Sequence, residues 1–185
     1  MMVVGLVVVA VIIIFLISTY NILVGKRNRV KEALAAIDVY LQNRFDALTQ
    51  IAETVVAYAK HEKETLVQVT SMRQQIASLP ASADKVAQFE KLEAGLRSIN
   101  VQAEAYPELK ADQNYLHLQR TINELEEKLS ASRRTYNANV TDYNTSISSI
   151  PTNLVAGMFN FKPEQLLVIS EEKKADVDIK NILRG

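Results

Sequence analysis

Residues 1–17, MMVVGLVVVAVIIIFLI, carry nothing more polar than Gly5, and no charge occurs before Lys26. About 20 apolar residues rising ~1.5 Å each cross the hydrocarbon core of a bilayer, so this run predicts one transmembrane helix. From Val30 the pattern becomes amphipathic. Val30, Leu34, Ile37, Leu41, Phe45, Leu48, Ile51, Val55, Ala59, Glu62, Leu66 and Val69 follow in steps of three or four, the spacing of one helical face. Neither Pro nor Gly interrupts residues 26–79. The expectation is a single helix running on from the membrane to about Gln75, standing about 70 Å tall. Ser78-Leu79-Pro80-Ala81-Ser82 reads as a turn, with Ser82 or Asp84 capping the next helix. A second stripe, Val86, Phe89, Leu92, Leu96, Ile99, Ala103 and Tyr106, ends at Pro107. A proline pushes the residue before it out of the α region, so Tyr106-Pro107 is expected to be a fixed corner. The third stripe is close to heptadic: Tyr115, Leu118, Ile122, Leu125, Leu129, Ser132, Tyr136, Val140, Tyr143, Ile147 and Ile150, up to Pro151. Its other face, with Glu124, Glu126, Glu127, Lys128, Arg133 and Arg134, reads as solvated.

The pattern predicts an all-α chain, an N-terminal transmembrane helix continuing into a long antiparallel helical bundle. Residues 1–25 form the anchor, 26–150 the bundle, 151–170 an apolar cap or interfacial segment, and 171–185 a mixed-charge tail. The third of these is bracketed by Pro151 and Pro163 and carries Leu154, Val155, Met158, Phe159 and Phe161, followed by Leu166-Leu167-Val168-Ile169. Two apolar clusters exceed what a lid over three helices needs. The segment is therefore expected to contact another copy of the chain or the bilayer.

Charge orients the chain. Lys26, Arg27, Arg29 and Lys31 lie within six residues of the apolar run, with no positive side chain on its other flank. The positive-inside rule puts this flank in the cytoplasm, the amino terminus outside and the bulk of the chain inside. A cleaved signal is the rival reading. It calls for a basic residue before a shorter apolar core and a small-residue cleavage site after it, and neither is present. Over the whole chain, 21 Lys+Arg balance 21 Asp+Glu, which removes the electrostatic reason to expect nucleic acid. Five Gly and four Pro are too few turns for an all-β chain. The absence of Cys excludes disulfides, thiol nucleophiles and thiolate metal sites.

Catalytic patterns fail one by one. His61 opens like a zinc-protease helix, but position 65 is Thr where a second His is needed. A di-iron bundle needs Glu three residues before each His, and Tyr58 and Asn114 stand before His61 and His117. No P-loop, dinucleotide glycine fingerprint or nucleophile elbow occurs. Asp38 and Asp46 adjoin apolar positions on the first helix and are expected to set register through ion pairs, with Arg44 pairing Asp38 or a neighbouring helix; a buried polar site is the alternative. Asn139-Val140-Thr141 and Asn144-Thr145-Ser146 match the glycosylation pattern, which a cytoplasmic domain leaves unused. No catalytic, cofactor or metal residue is assigned, and a non-enzymatic role is expected.

Several ordered blocks are similar to one family. Tyr20-Asn21-x-Leu23-Val24, Arg27-Asn28-Arg29-Val30-Lys31, Ile37-Asp38-Val39, Arg44-Phe45-Asp46 and Tyr58-Ala59-Lys60-His61-Glu62 resemble the LemA family. So do Ala103 through Ala111, Arg133-x-x-Tyr136-Asn137, Asp142-Tyr143-Asn144, Pro151-x-Asn153 and Phe159-x-Phe161-x-Pro163. Leu34 stands where many members have Trp, and Leu48-Thr49-Gln50 where many have Ile-Pro-Asn. The missing proline predicts a straighter first helix. The resemblance implies a bacterial membrane-anchored helical bundle with a cytoplasmic domain and supplies no catalytic residues. Two functions are expected to compete: a self-associating scaffold at the cytoplasmic membrane, with the bilayer and further copies as partners, and an adaptor for another membrane protein such as an envelope protease.

Overall fold

The structure is a computed structural model that describes residues 1–58, 71, 75, 78–82, 84–89 and 111–167. Helix α1 runs without a break from Met2 to Tyr58, 57 residues, about 85 Å at ~1.5 Å per residue. It crosses the expected boundary at residue 25 as one element, so anchor and bundle share a backbone. Among the described residues this is the one helix long and apolar enough to cross a membrane. Its first part is exposed, Val9 at 54% and Ile14 at 63%, unlike a core helix of a globular domain.

Burial along α1 follows the expected stripe. Val30, Ala33, Ile37, Leu41, Phe45, Ile51, Ala52 and Val55 are buried, with Leu34 and Leu48 packed at the edge. Ala59, Glu62, Leu66 and Val69 lie outside the described residues, as does the Tyr106-Pro107 corner. Helix α2, Gln113–Ser148, begins at Asp112, whose carboxylate accepts from the amides of Asn114 and Tyr115 at 2.8 and 3.0 Å. That side-chain cap answers two of the orphan N–H groups of the first turn. The helix ends at the Ser149 cap, two residues before Pro151. A short helix α3, Thr152–Met158, follows.

Helices α1 and α2 are antiparallel. Lys26 binds Asp142 at 2.6 Å, Asn139 donates to the Arg29 carbonyl at 3.2 Å, and Arg44 binds Glu126 at 3.2 Å. Tyr115, Leu129, Tyr136, Val140 and Tyr143 close on the α1 stripe, with Leu118, Ile122 and Ile147 at its margin. Helical residues 84–89 add Val86 and Phe89 to the same core. Ser82 caps them through its hydroxyl, which accepts from the Lys85 amide at 3.1 Å.

Asp38 pairs with the buried Lys85 at 2.6 Å and with Gln42. Of the two partners open to Arg44, the neighbouring helix takes it: Arg44 reaches across to α2 and lies over the Phe89 ring at 6.0 Å. Two expectations are corrected here. Arg133 is buried, taking the inward place expected of Ser132, because an arginine stem packs as apolar surface. Ile150 leaves the stripe and is 85% exposed, since the chain has turned out of α2 at Ser149.

Candidate functional site

The most elaborated region of the described chain is where α1, α2 and α3 meet, at the level at which the apolar run of α1 gives way to its charged part. Helix α3 lies against both long helices. Val155 and Ala156 point inward and are buried, while Leu154 and Met158, four residues apart on the opposite face, are 67% and 69% exposed. Thr19 and Leu23 on α1 are buried at this level. The Tyr20 ring meets Phe159 at 4.8 Å between centroids and Phe161 at 5.8 Å. Arg27 lies over the Phe161 ring at 5.2 Å, a cation–π contact at the edge of the apolar zone.

Helix α3 ends in a Schellman motif. The Phe161 amide donates to the Ala156 carbonyl at 2.9 Å and the Asn160 amide to Gly157 at 3.3 Å. Asn160 takes φ 54, a left-handed conformation that asparagine tolerates better than most side chains. This turn sends the chain back along α2 as an extended strap over residues 161–167.

The strap is held by a repeated pair of side chains. Asn144 donates to the Glu164 carbonyl at 2.8 Å and accepts from the Glu164 amide at 2.9 Å. Asn137, seven residues earlier, makes the same two bonds to Leu167, both at 2.9 Å. The tyrosine before each asparagine joins in: the Tyr143 hydroxyl donates to the Lys162 carbonyl at 2.9 Å and Tyr136 to Gln165 at 3.0 Å. The spacing is dictated by geometry. Seven helical residues rise about 10.5 Å, and three extended residues cover about 10 Å. Two Tyr-Asn pairs one heptad apart therefore match positions 164 and 167. Both phenols titrate above the ordinary value of 10.0. Burial is the main cause for each, and the Glu164 carboxylate adds to it; at Tyr143 the Arg27 charge opposes.

The expected site residues divide accordingly. Among the basic flank, Lys26 is bound to Asp142 and Arg27 is stacked on Phe161, whereas Arg29 and Lys31 project into solvent. In the apolar segment, Leu154, Met158 and Phe159 are available at the surface. Val155 is fully buried and Phe161 is packed against the core. The segment is thus part lid and part exposed surface. Asn139 and Asn144, which matched the glycosylation pattern, are engaged in the bundle. His61 lies outside the described residues, and His117 sits on the exposed side of α2. The Tyr-Asn clamp is what the pattern of apolar residues missed. Its signal was the dipeptide repeated at seven residues.

The profile of the LemA family matches residues 33–180, most of the chain. The chain belongs to the LemA family. Protein LemA of Metamycoplasma hominis is 27% identical over 159 residues, which cover 85% of this chain and 73% of that protein. The family blocks now have physical roles in this LemA-family chain. Tyr136-Asn137 and Tyr143-Asn144 hold the strap, Pro151 separates α2 from α3, and Phe159-x-Phe161 seats the strap on Tyr20 and Arg27.

Proposed function

We propose that this LemA-family chain is a non-enzymatic, membrane-anchored helical scaffold that self-associates at the bacterial cytoplasmic membrane. In this reading residues 1–24 cross the bilayer once, with the amino terminus outside and the bundle in the cytoplasm. The observation that carries it is the continuity of α1. A span that flows into the bundle with no turn between them holds the bundle at a fixed orientation, which is a mechanical property rather than a catalytic one. Ion pairs between elements support the same view. Arg44–Glu126, Lys85–Asp38 and Lys26–Asp142 join one element to another, and are used up in building the bundle.

The heptad-like stripe of α2 is covered by α1 of the same chain. Self-association then falls to the exposed sides of the spans and of the long helices. The exposed charges Glu124, Glu127, Lys128 and Arg134 favour a second reading, an adaptor for another membrane protein. Light scattering of the particle extracted in mild detergent separates the two. A scaffold gives a protein mass several times 20.7 kDa with no other polypeptide present. A monomer, or a particle that contains a second protein, contradicts it.

A further inference from the structure

We propose that the exposed face of α3, together with the turn before it, rests in the headgroup–acyl boundary of the leaflet from which α1 emerges. The chain would then touch the bilayer twice, by a span and by a foot. This inference rests on the reading that residues 1–24 span the membrane.

Beyond Val24, six large apolar side chains among the described residues are left exposed. Four of them, Ile150, Leu154, Met158 and Phe159, fall within one ten-residue segment; Val39 and Leu166 are the others. The height of that segment is fixed by the contact of Phe159 with Tyr20. Tyr20 lies three residues after Ile17, about 4.5 Å along the helix. The patch therefore lies close to the flank of the span that carries Ile17, 57% exposed. Once α1 crosses a bilayer, lipid is already at this level. A second copy would have to bring its own bundle down to it.

The chemistry of the segment suits a nonpolar surrounding. No charge occurs between Asp142 and Lys162. Two of its hydroxyls are answered internally, which lowers the cost of a nonpolar surrounding. The Ser149 hydroxyl donates to the Thr145 carbonyl at 2.7 Å, and the Thr152 hydroxyl to the carbonyls of Ser149 and Ser146. The Schellman bonds close the other end of α3. Charge returns on the aqueous side, with Arg29, Lys31 and Lys162 all exposed. Amphipathic helices at interfaces sink their apolar face about 5–10 Å into this boundary.

The chain has no native cysteine, so single substitutions report position cleanly. Val9→Cys, Leu154→Cys, Met158→Cys and Gln42→Cys, each in the full chain, are labelled with a fluorophore and placed in phosphatidylcholine nanodiscs. Some of the lipid carries a nitroxide near the headgroup end of an acyl chain. The proposal expects the labels at 9, 154 and 158 to lose emission to lipid-borne nitroxide, and the label at 42 to lose it only to aqueous acrylamide. If 9 is quenched by lipid while 154 and 158 respond only to acrylamide, the foot is overturned and the span stands. If 154 is shielded from both quenchers and unlabelled Leu154→Cys cross-links between copies, a second chain covers the patch and the proposal is overturned in favour of an interface. If 9 escapes lipid quenching, the span reading fails and takes the foot with it.

Discussion

Removing one asparagine of the clamp should free the strap without melting the bundle. Asn144→Ala deletes a donor and an acceptor at once, the bonds at 2.8 and 2.9 Å to the two sides of Glu164. A neutral hydrogen bond contributes about 0.5–1.5 kcal/mol net, so the pair is worth about 1–3 kcal/mol. The site is half-buried, and water can take over part of what is lost, which favours the lower half of that range. The apolar stripe of α2 does not include Asn144, so the α1–α2 core stays intact. Local opening of the strap should therefore become easier while global unfolding changes by no more than the same amount. Hydrogen exchange followed by mass spectrometry or NMR reads this directly. Amides of 164–167 should exchange roughly 5- to 30-fold faster, the factor that about 1–2 kcal/mol implies, with those of 125–140 unchanged. Asn139→Ala is the control, since it loses one exposed bond at 3.2 Å to Arg29 and leaves the strap alone. Unchanged exchange at 164–167, or uniform acceleration through α2, would refute the clamp.

Three further outcomes follow from the same geometry. Tyr136 and Tyr143 keep their protons to higher pH when folded than when unfolded, because burial raises both above 10.0. Above pH 10 the unfolded chain binds fewer protons than the folded one, so stability is complete below that value and falls as pH climbs through the raised pKa values; strap exchange against pH checks this, and the double variant Tyr136→Phe with Tyr143→Phe should flatten the profile. Val155→Ala, at a fully buried position, should lower stability in urea by about 1.5–3 kcal/mol, while Leu154→Ala next to it stays within about 0.5 kcal/mol. At Asn160, with φ 54, glycine should be tolerated and Asn160→Val should cost about 1–2 kcal/mol in the same urea titration.

The long elements were legible because apolar periodicity is a direct image of which side faces the partner. Val30, Ile37, Leu41, Phe45, Ile51 and Val55 all fell where the spacing put them. Elsewhere a second physical effect competed with hydrophobicity. Arg133 displaced Ser132 because a long aliphatic stem fills space that a hydroxyl cannot. Asp38 found Lys85 because the partner came from a distant element that local spacing does not reveal. Val155 and Leu154 are adjacent and similarly apolar, yet only the fold tells which one faces inward. The strap was hardest of all, since its extended backbone is recognised by polar side chains. A stripe of apolar residues carries no record of such bonds.

The scaffold role depends most on α1 being one rigid helix from the membrane into the bundle. Nitroxide labels on Val9→Cys with Gln50→Cys in the full chain, reconstituted in nanodiscs, measure this by pulsed electron–electron resonance. An unbroken helix separates the two positions by about 60 Å along its axis, and the distance distribution should be single and narrow around that value. A broad distribution, or one centred well below it, would mean that the chain bends between span and bundle near Gly25, and the scaffold reading would lose its foundation.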